Sequence, residues 1–140
     1  MGLAENPLQA STSTTVLHID DNEAHRTYWS GVLKNFSSNY IVLEASDGMS
    51  GVVICRNRAV DCVLLDLDMP ESGFKTLLEL IPNRKRPQVA VVILTHLIHP
   101  FLRDMAKDNG AQGWLVKQHT SADELHTTIQ QAVTVVKSIQ

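Results

Sequence analysis

The chain has 140 residues, a hydrophobic fraction of 44% and a charged fraction of 19%, which are ordinary values for one globular domain. Its net charge of -3 gives no attraction to nucleic acid or an anionic membrane, and no apolar run is long enough to cross a bilayer. We therefore expect a cytoplasmic protein that contacts neither directly. Residues 1–14 are small and polar and predict a flexible tail or linker, and residues 15–140 predict the folded domain.

Short apolar runs alternate with segments of helical period along the chain. The predicted strands are 16–19, 40–45, 61–66, 89–94 and 113–116. The predicted helices are 22–36, 48–58, a short one ending at 81, 100–107, and a last one opened by a Ser121–Glu124 capping box. Five strand–helix repeats of this kind predict an α/β domain with a doubly wound parallel sheet, because the crossover connections are right-handed.

The most informative stretch is Val63–Pro70, in which an apolar run ends abruptly at Asp66. A continuous Val/Leu run predicts a strand buried on both faces, and Pro70 cannot continue the ladder. Asp66 therefore lies at the carboxyl end of a central strand, the edge where α/β sheets bind ligands. A carboxylate there can act as a nucleophile, a metal ligand or both, or simply cap the following turn.

The other strands end in polar residues as well. The first ends in Asp20 and Asp21, the fourth in Thr95 and the fifth in Lys117, so they should meet Asp66 at one edge of the sheet. Three neighbouring carboxylates repel each other, and Mg²⁺ would relieve that repulsion while keeping room for waters and phosphate oxygens. A carboxylate beside Mg²⁺ can attack a phosphoryl group, and the lysine would offset the charge on the phosphoryl oxygens.

These motifs together resemble the receiver domain of two-component response regulators, and the resemblance covers nearly everything from Thr14 onward. It is carried by Asp20-Asp21, by Asp66 followed by Met69-Pro70, by Thr95, and by Gly113-Trp114-Leu115-Val116-Lys117. The resemblance implies a flavodoxin-like (βα)5 fold with the strand order 2-1-3-4-5. It also implies a signalling domain rather than an enzyme. Such a domain catalyses only its own phosphotransfer and slow dephosphorylation.

By this resemblance, Asp66 is the phospho-acceptor, and its donor is a phosphohistidine on a partner histidine kinase or phosphotransfer protein. Asp21 and Asp66 would bind Mg²⁺ through their side chains, the main-chain carbonyl of Asp68 would complete the protein ligands, and Asp20 would act mostly through a metal-bound water.

The resemblance also implies that Lys117 pairs with the phosphoryl group and that Thr95 and Trp114 form a switch pair. Ordinary core packing remains the other interpretation of Trp114. A homodimer through the face built by the fourth and fifth helices is a further expectation.

Three positions depart from the family pattern. Gln118 follows Lys117 where the family usually carries a cis proline, and since a non-proline cis bond costs about 2.5–4 kcal/mol we predict a trans or strained cis peptide. His96 follows Thr95 where the family usually has a small residue, and its imidazole would either cover the site or point to solvent. Asp68 adds a carboxylate beside the cleft, which predicts a stronger dependence on Mg²⁺.

Two other functions stay open at this point. A pseudo-receiver would keep the fold as a binding module without phosphorylation. Asp66-Leu67-Asp68 also resembles the nucleophile motif of haloacid dehalogenase-type phosphatases, but that family places its nucleophile strand first, whereas here Asp20-Asp21 precede it. The sequence is compatible with a stand-alone regulator and with a receiver taken from a larger protein.

Overall fold

The computed structural model describes residues 13–70 and 72–140. Its strands are β1 (Thr14–Ile19), β2 (Tyr40–Ala45), β3 (Cys62–Leu65), β4 (Ala90–Thr95) and β5 (Gly113–Val116). Its helices are α1 (Glu23–Phe36), α2 (Gly48–Asn57), α3 (Gly73–Leu80), α4 (Pro100–Asp108) and α5 (Ala122–Ile139), with a 3₁₀ turn at Lys117–His119. The strands are parallel in the order β2-β1-β3-β4-β5, which confirms the predicted flavodoxin-like fold.

Two apolar clusters hold the helices on the two faces of the sheet. Alternate residues along a strand point to opposite faces, so Leu64 joins the cluster with α1 and α5, and Leu65 joins the cluster with α2, α3 and α4. All four residues of β3 and all six of β4 are buried. This double burial is why their sequences are continuous apolar runs rather than alternating ones.

Local sequence signals explain several helix ends. The side chain of Asp47 accepts from the Ser50 N–H at 2.8 Å, and Ser121 with Glu124 forms the predicted capping box. Gly110, directly after the C-cap Asn109, has a φ of 103°, a conformation that favours glycine.

The buried face of α1 is narrower than its pattern predicts. Trp29 and Leu33 are buried, but Tyr28 is 62% exposed and Phe36 37% exposed, although the helical period puts all four on one side of the helix. The rings of Tyr28 and Trp29 meet edge to face at 4.9 Å. Adjacent helical residues differ by about 100° in direction, and Trp29 takes the core position.

The chain enters β1 at Thr14, two residues before the predicted start of this strand. The predicted tail over 1–14 lies outside the described residues, apart from positions 13 and 14. Within residues 13–70 and 72–140 every peptide bond is trans, which confirms the trans alternative for Lys117–Gln118. No helix in that part of the chain is long and apolar enough to cross a membrane.

Candidate functional site

Asp66 lies directly after β3, at the carboxyl edge of the sheet. Its N–H donates to the Ile19 carbonyl at 3.1 Å, so the backbone of Asp66 is still held by β1. Its Oδ1 accepts from the Asp68 N–H at 2.9 Å, which fixes the first turn of the following loop. The residue is 3% exposed, so its carboxylate lies at the bottom of the cleft rather than on the surface.

Lys117, the first residue of the 3₁₀ turn after β5, extends its side chain under the same edge. Its Nζ lies 2.9 Å from Oδ2 of Asp66, 2.6 Å from Oδ2 of Asp20 and 2.8 Å from Nδ1 of His25. The side chain is only 7% exposed. The structure therefore brings together the predicted Asp20, Asp66 and Lys117, and one ammonium contacts two buried carboxylates.

Asp20 is fully buried and both of its carboxylate oxygens have hydrogen-bond partners. Oδ1 accepts from the Asn22 N–H at 2.9 Å and Oδ2 accepts from Lys117, while Arg26 donates to the main-chain carbonyl at 2.8 Å. Burial by itself would raise the pKa of this carboxyl, but the His18 imidazole, the Lys117 ammonium and the Asn22 N–H outweigh it and hold the pKa well below its usual range. Asp20 is therefore a carboxylate at neutral pH.

His18 lies on β1 beneath Asp20 and is 1% exposed. Its Nε2 is 3.5 Å from Oδ2 of Asp20, and among the described residues neither ring nitrogen has a hydrogen-bond partner of good geometry. The imidazole acts on Asp20 by proximity rather than through a well-directed hydrogen bond.

Three carboxylates are available for a cation at this edge. Asp20 and Asp66 are buried, whereas Asp21 is exposed to solvent. Oxygen donors of this kind suit Mg²⁺, which keeps several waters and takes only one or two carboxylates from the protein. Within residues 13–70 and 72–140, no three acidic, His or Cys side chains are already gathered around one metal position. The donor chemistry thus fits a hydrated Mg²⁺ rather than a closed protein cage.

The predicted switch residues lie on β4 and β5. Thr95, at the end of β4, is fully buried, and its hydroxyl accepts from the Leu97 N–H at 3.3 Å. Trp114, on β5, is half-buried against the cluster under α2, α3 and α4 and lines a surface cavity beside α4. In this state the Thr95 hydroxyl is engaged by its own loop.

The three residues that depart from the family pattern contact one another at the mouth of the cleft. Nε2 of His96 lies 3.0 Å from Oδ2 of Asp68, and the Gln118 amide donates to the His96 carbonyl at 3.2 Å. The His96 and Asp68 side chains are 47% and 45% exposed. These three residues, the rim, connect the loops after β3, β4 and β5.

No sequence pattern pointed to the contact of His25 with Lys117 or to that of His18 with Asp20. The helix start indicates where His25 lies but not what it contacts, because Asn22 caps α1 and its side chain accepts from the His25 N–H at 3.0 Å. This cap holds His25 in the first turn of α1, close to the end of β1.

Comparison with known proteins agrees with this geometry. The sequence matches the response regulator receiver domain family over residues 16–130. This chain belongs to that family. The curated relatives include the response regulator UvrY of Escherichia coli, which is 36% identical over 103 residues covering 73% of this chain and 46% of UvrY. The nitrate/nitrite response regulator NarL of E. coli is 31% identical over 119 residues covering 84% of this chain and 54% of NarL.

Solved receiver structures share the fold. The chemotaxis protein CheY4 of Vibrio cholerae has a TM-score of 0.74 at 26% identity, covering 86% of this chain and 98% of that one. A receiver domain protein from Clostridium thermocellum has a TM-score of 0.75 at 29% identity, covering 91% and 99%. The receiver chain spans about half the length of UvrY and NarL.

Proposed function

We propose that this receiver domain accepts a phosphoryl group on Asp66 from a phosphohistidine of a partner histidine kinase or phosphotransfer protein. The observation that carries the proposal is the buried Asp66 carboxylate at the end of β3, with the Lys117 ammonium 2.9 Å from its Oδ2. An ionised oxygen at the cleft is the nucleophile that such a transfer requires, and the adjacent ammonium offsets the charge of the incoming group.

The transfer of the phosphoryl group needs no reactant other than the donor phosphohistidine and Asp66. A carboxylate oxygen of Asp66 attacks the phosphorus, and the P–N bond of the donor breaks with its electron pair remaining on the donor imidazole. The product is an acyl phosphate on Asp66. Lys117 stays close to the transferred group, because its contact with Asp20 at 2.6 Å does not involve the acceptor.

Mg²⁺ would be held by the side chains of Asp21 and Asp66 and the main-chain carbonyl of Asp68, with Asp20 reached through a bound water. The cation would supply positive charge to the phosphoryl oxygens. Asp20 suits an indirect role, because both of its carboxylate oxygens already accept hydrogen bonds.

Thr95 and Trp114 are the proposed switch pair. The Thr95 hydroxyl would leave the Leu97 N–H, which it contacts at 3.3 Å, and donate to the phosphoryl group. The space released beside Thr95 would let the Trp114 ring move inward from its half-buried position. Such a rearrangement changes the surface formed by α4, β5 and α5, which is where we place the output interaction.

A phosphorylation-dependent homodimer on this surface is part of the proposal. Ile98, in the loop before α4, and Phe101, in its first turn, are 66% and 64% exposed and supply apolar area for it. Sedimentation of the phosphorylated and unphosphorylated domain tests this part, and Phe101→Ser should weaken the dimer without changing phosphorylation. A monomer in both states would refute it.

The rim of Asp68, His96 and Gln118 is the proposed modulator of access to Asp66. The His96 side chain contacts Asp68 at 3.0 Å and so restricts the mouth through which a donor or an attacking water must pass. His96→Ala should raise the rates of phosphorylation by acetyl phosphate and of dephosphorylation together. Unchanged rates would refute a gating role.

The decisive experiment is intact mass after incubation with Mg²⁺ and acetyl phosphate. One phosphoryl adduct is expected on the wild type, none on Asp66→Asn, and one on the matched control Asp68→Asn, which removes the neighbouring carboxylate charge instead. Absence of an adduct on both the wild type and His96→Ala would refute phospho-acceptance and favour a binding module. Catalytic turnover of a small phosphate ester would instead indicate a phosphatase.

A further inference from the structure

The Lys117 ammonium has three N–H groups, and the structure supplies three acceptors. They are Oδ2 of Asp20 at 2.6 Å, Nδ1 of His25 at 2.8 Å and Oδ2 of Asp66 at 2.9 Å. An ammonium can only donate, so Nδ1 of His25 must carry a lone pair and the ring proton must be on Nε2. This contact therefore requires one defined tautomer of the imidazole.

His25 is well held for such a role. Its main-chain N–H donates to the Asn22 side chain at 3.0 Å, so the capped first turn of α1 fixes its backbone. Its side chain is 42% exposed, and Nδ1 lies 3.9 Å from Oδ2 of Asp20. The ring therefore stands beside the Asp20–Lys117 pair with part of its surface open to solvent.

We propose that His25 is a positioning residue for Lys117. Together with Asp20 it occupies two of the three N–H groups, and so directs the third at Asp66 before phosphorylation and at a phosphoryl oxygen afterwards. The inference rests on the proposed function of Asp66. Fixing the direction of a donor before the reaction lowers the cost of reorganising it in the transition state.

Loss of the imidazole should change the direction in which the Lys117 ammonium donates, and should leave the charge of the site as it is. In His25→Leu one N–H of Lys117 would turn to water, while the contacts with Asp20 and Asp66 remain available. Hydrogen bonds to charged groups are stronger than neutral ones, but partial exposure of His25 weakens this one, so we expect phosphorylation to slow about five- to tenfold. Mg²⁺ affinity should stay within about twofold, because His25 is not among the proposed ligands.

The kinetic test compares His25→Leu, His25→Gln and Tyr28→Leu, the last being an exposed position on the same helix. Acetyl phosphate and Mg²⁺ drive the reaction, intact mass gives its rate, and calorimetry gives Mg²⁺ affinity. His25→Gln again offers an acceptor and should recover at least half of the lost rate, and Tyr28→Leu should match the wild type. Equal rates for His25→Leu and the wild type would overturn the inference, as would a Gln variant as slow as the Leu variant.

A second measurement needs no variant. Long-range ¹H–¹⁵N correlation spectra of ¹⁵N-histidine-labelled wild type at pH 8 should show His25 with an unprotonated Nδ1 and a protonated Nε2. The opposite tautomer would refute the contact with Lys117. A wild type that takes no phosphoryl group but shows the expected tautomer would refute the proposed function alone, whereas an adduct together with the opposite tautomer would refute only the role of His25.

Discussion

Replacing Lys117 by Met should destabilise the fold as well as impair the site. The ammonium contacts Oδ2 of both Asp20 and Asp66, and all three side chains are at most 7% exposed. Methionine preserves most of the volume but leaves two buried carboxylates without a positive charge. Removing one partner of a buried ion pair costs about 3–5 kcal/mol, because the other charge remains desolvated.

Proton uptake sets an upper limit on this penalty. A carboxyl with the usual pKa of 3.8 can escape by taking a proton, which at pH 7 costs about 4 kcal/mol and at pH 5 about 1.6 kcal/mol. In the wild type the lowered pKa of Asp20 contributes stability that is present above the usual pKa and lost only as the pH falls below it. Loss of the Lys117 contact removes this stabilisation at both pH 7 and pH 5, whereas proton uptake relieves the added desolvation penalty more at pH 5. The variant should therefore lose about 3–5 kcal/mol of unfolding free energy at pH 7 and less at pH 5.

Urea unfolding at pH 7 and pH 5 measures both values, without divalent cations and then with millimolar Mg²⁺. Lys137→Met is the matched control, because Lys137 is 66% exposed and lies 3.9 Å from Asp61, a pair that should contribute less than about 1 kcal/mol. Mg²⁺ should stabilise Lys117→Met more than the wild type, since it restores positive charge beside the carboxylates. Equal losses for the two lysine variants, or a loss that grows from pH 7 to pH 5, would refute the reasoning.

Three further results are expected. A Cβ at Gly73 would lie 2.5 Å from a main-chain oxygen of the loop after β3, whereas a Cβ at Gly31 would meet nothing within 4 Å. In urea unfolding, Gly73→Ala should therefore cost about 1–3 kcal/mol, and Gly31→Ala should stabilise the fold by about 0.5–1 kcal/mol. Ile129→Ala, in the fully buried face of α5, should cost about 2–5 kcal/mol, against less than about 1 kcal/mol for the half-exposed Val135→Ala. Burial raises the pKa of the Cys55 thiol to about 11, so iodoacetamide at pH 8 should modify it far more slowly than in urea, and comparable rates would contradict this.

The parallel sheet and the gathering of site residues could be predicted because they follow from backbone rules, whereas the strand order was implied only by the family resemblance. The apolar runs of β3 and β4 are continuous, their ends are marked by Asp66 and Thr95, and parallel strands bring such ends to one edge. The helix starts were equally readable, since Asp47 and Ser121 are capping residues at the correct spacing.

Side-chain contacts across the cleft could not be predicted in this way. His25 and Lys117 are 92 positions apart, and nothing in either local pattern specifies that the two side chains meet. The same holds for His96, which could equally have pointed to solvent; its contact with Asp68 depends on rotamers that three separate loops select together.

Burial separates two groups of residues around Asp66. Asp20 and Lys117 are buried and carry balancing charges, so changes there should alter stability and phosphorylation together. The rim residues His96 and Asp68 are about half exposed, and an exposed pair of this kind contributes at most about 1 kcal/mol to stability. His96→Ala should therefore change the rates at Asp66 while leaving the urea midpoint almost unchanged. A loss of stability above that value would mean that the rim supports the fold, and a gating role would then need evidence from a rim variant of unaltered stability.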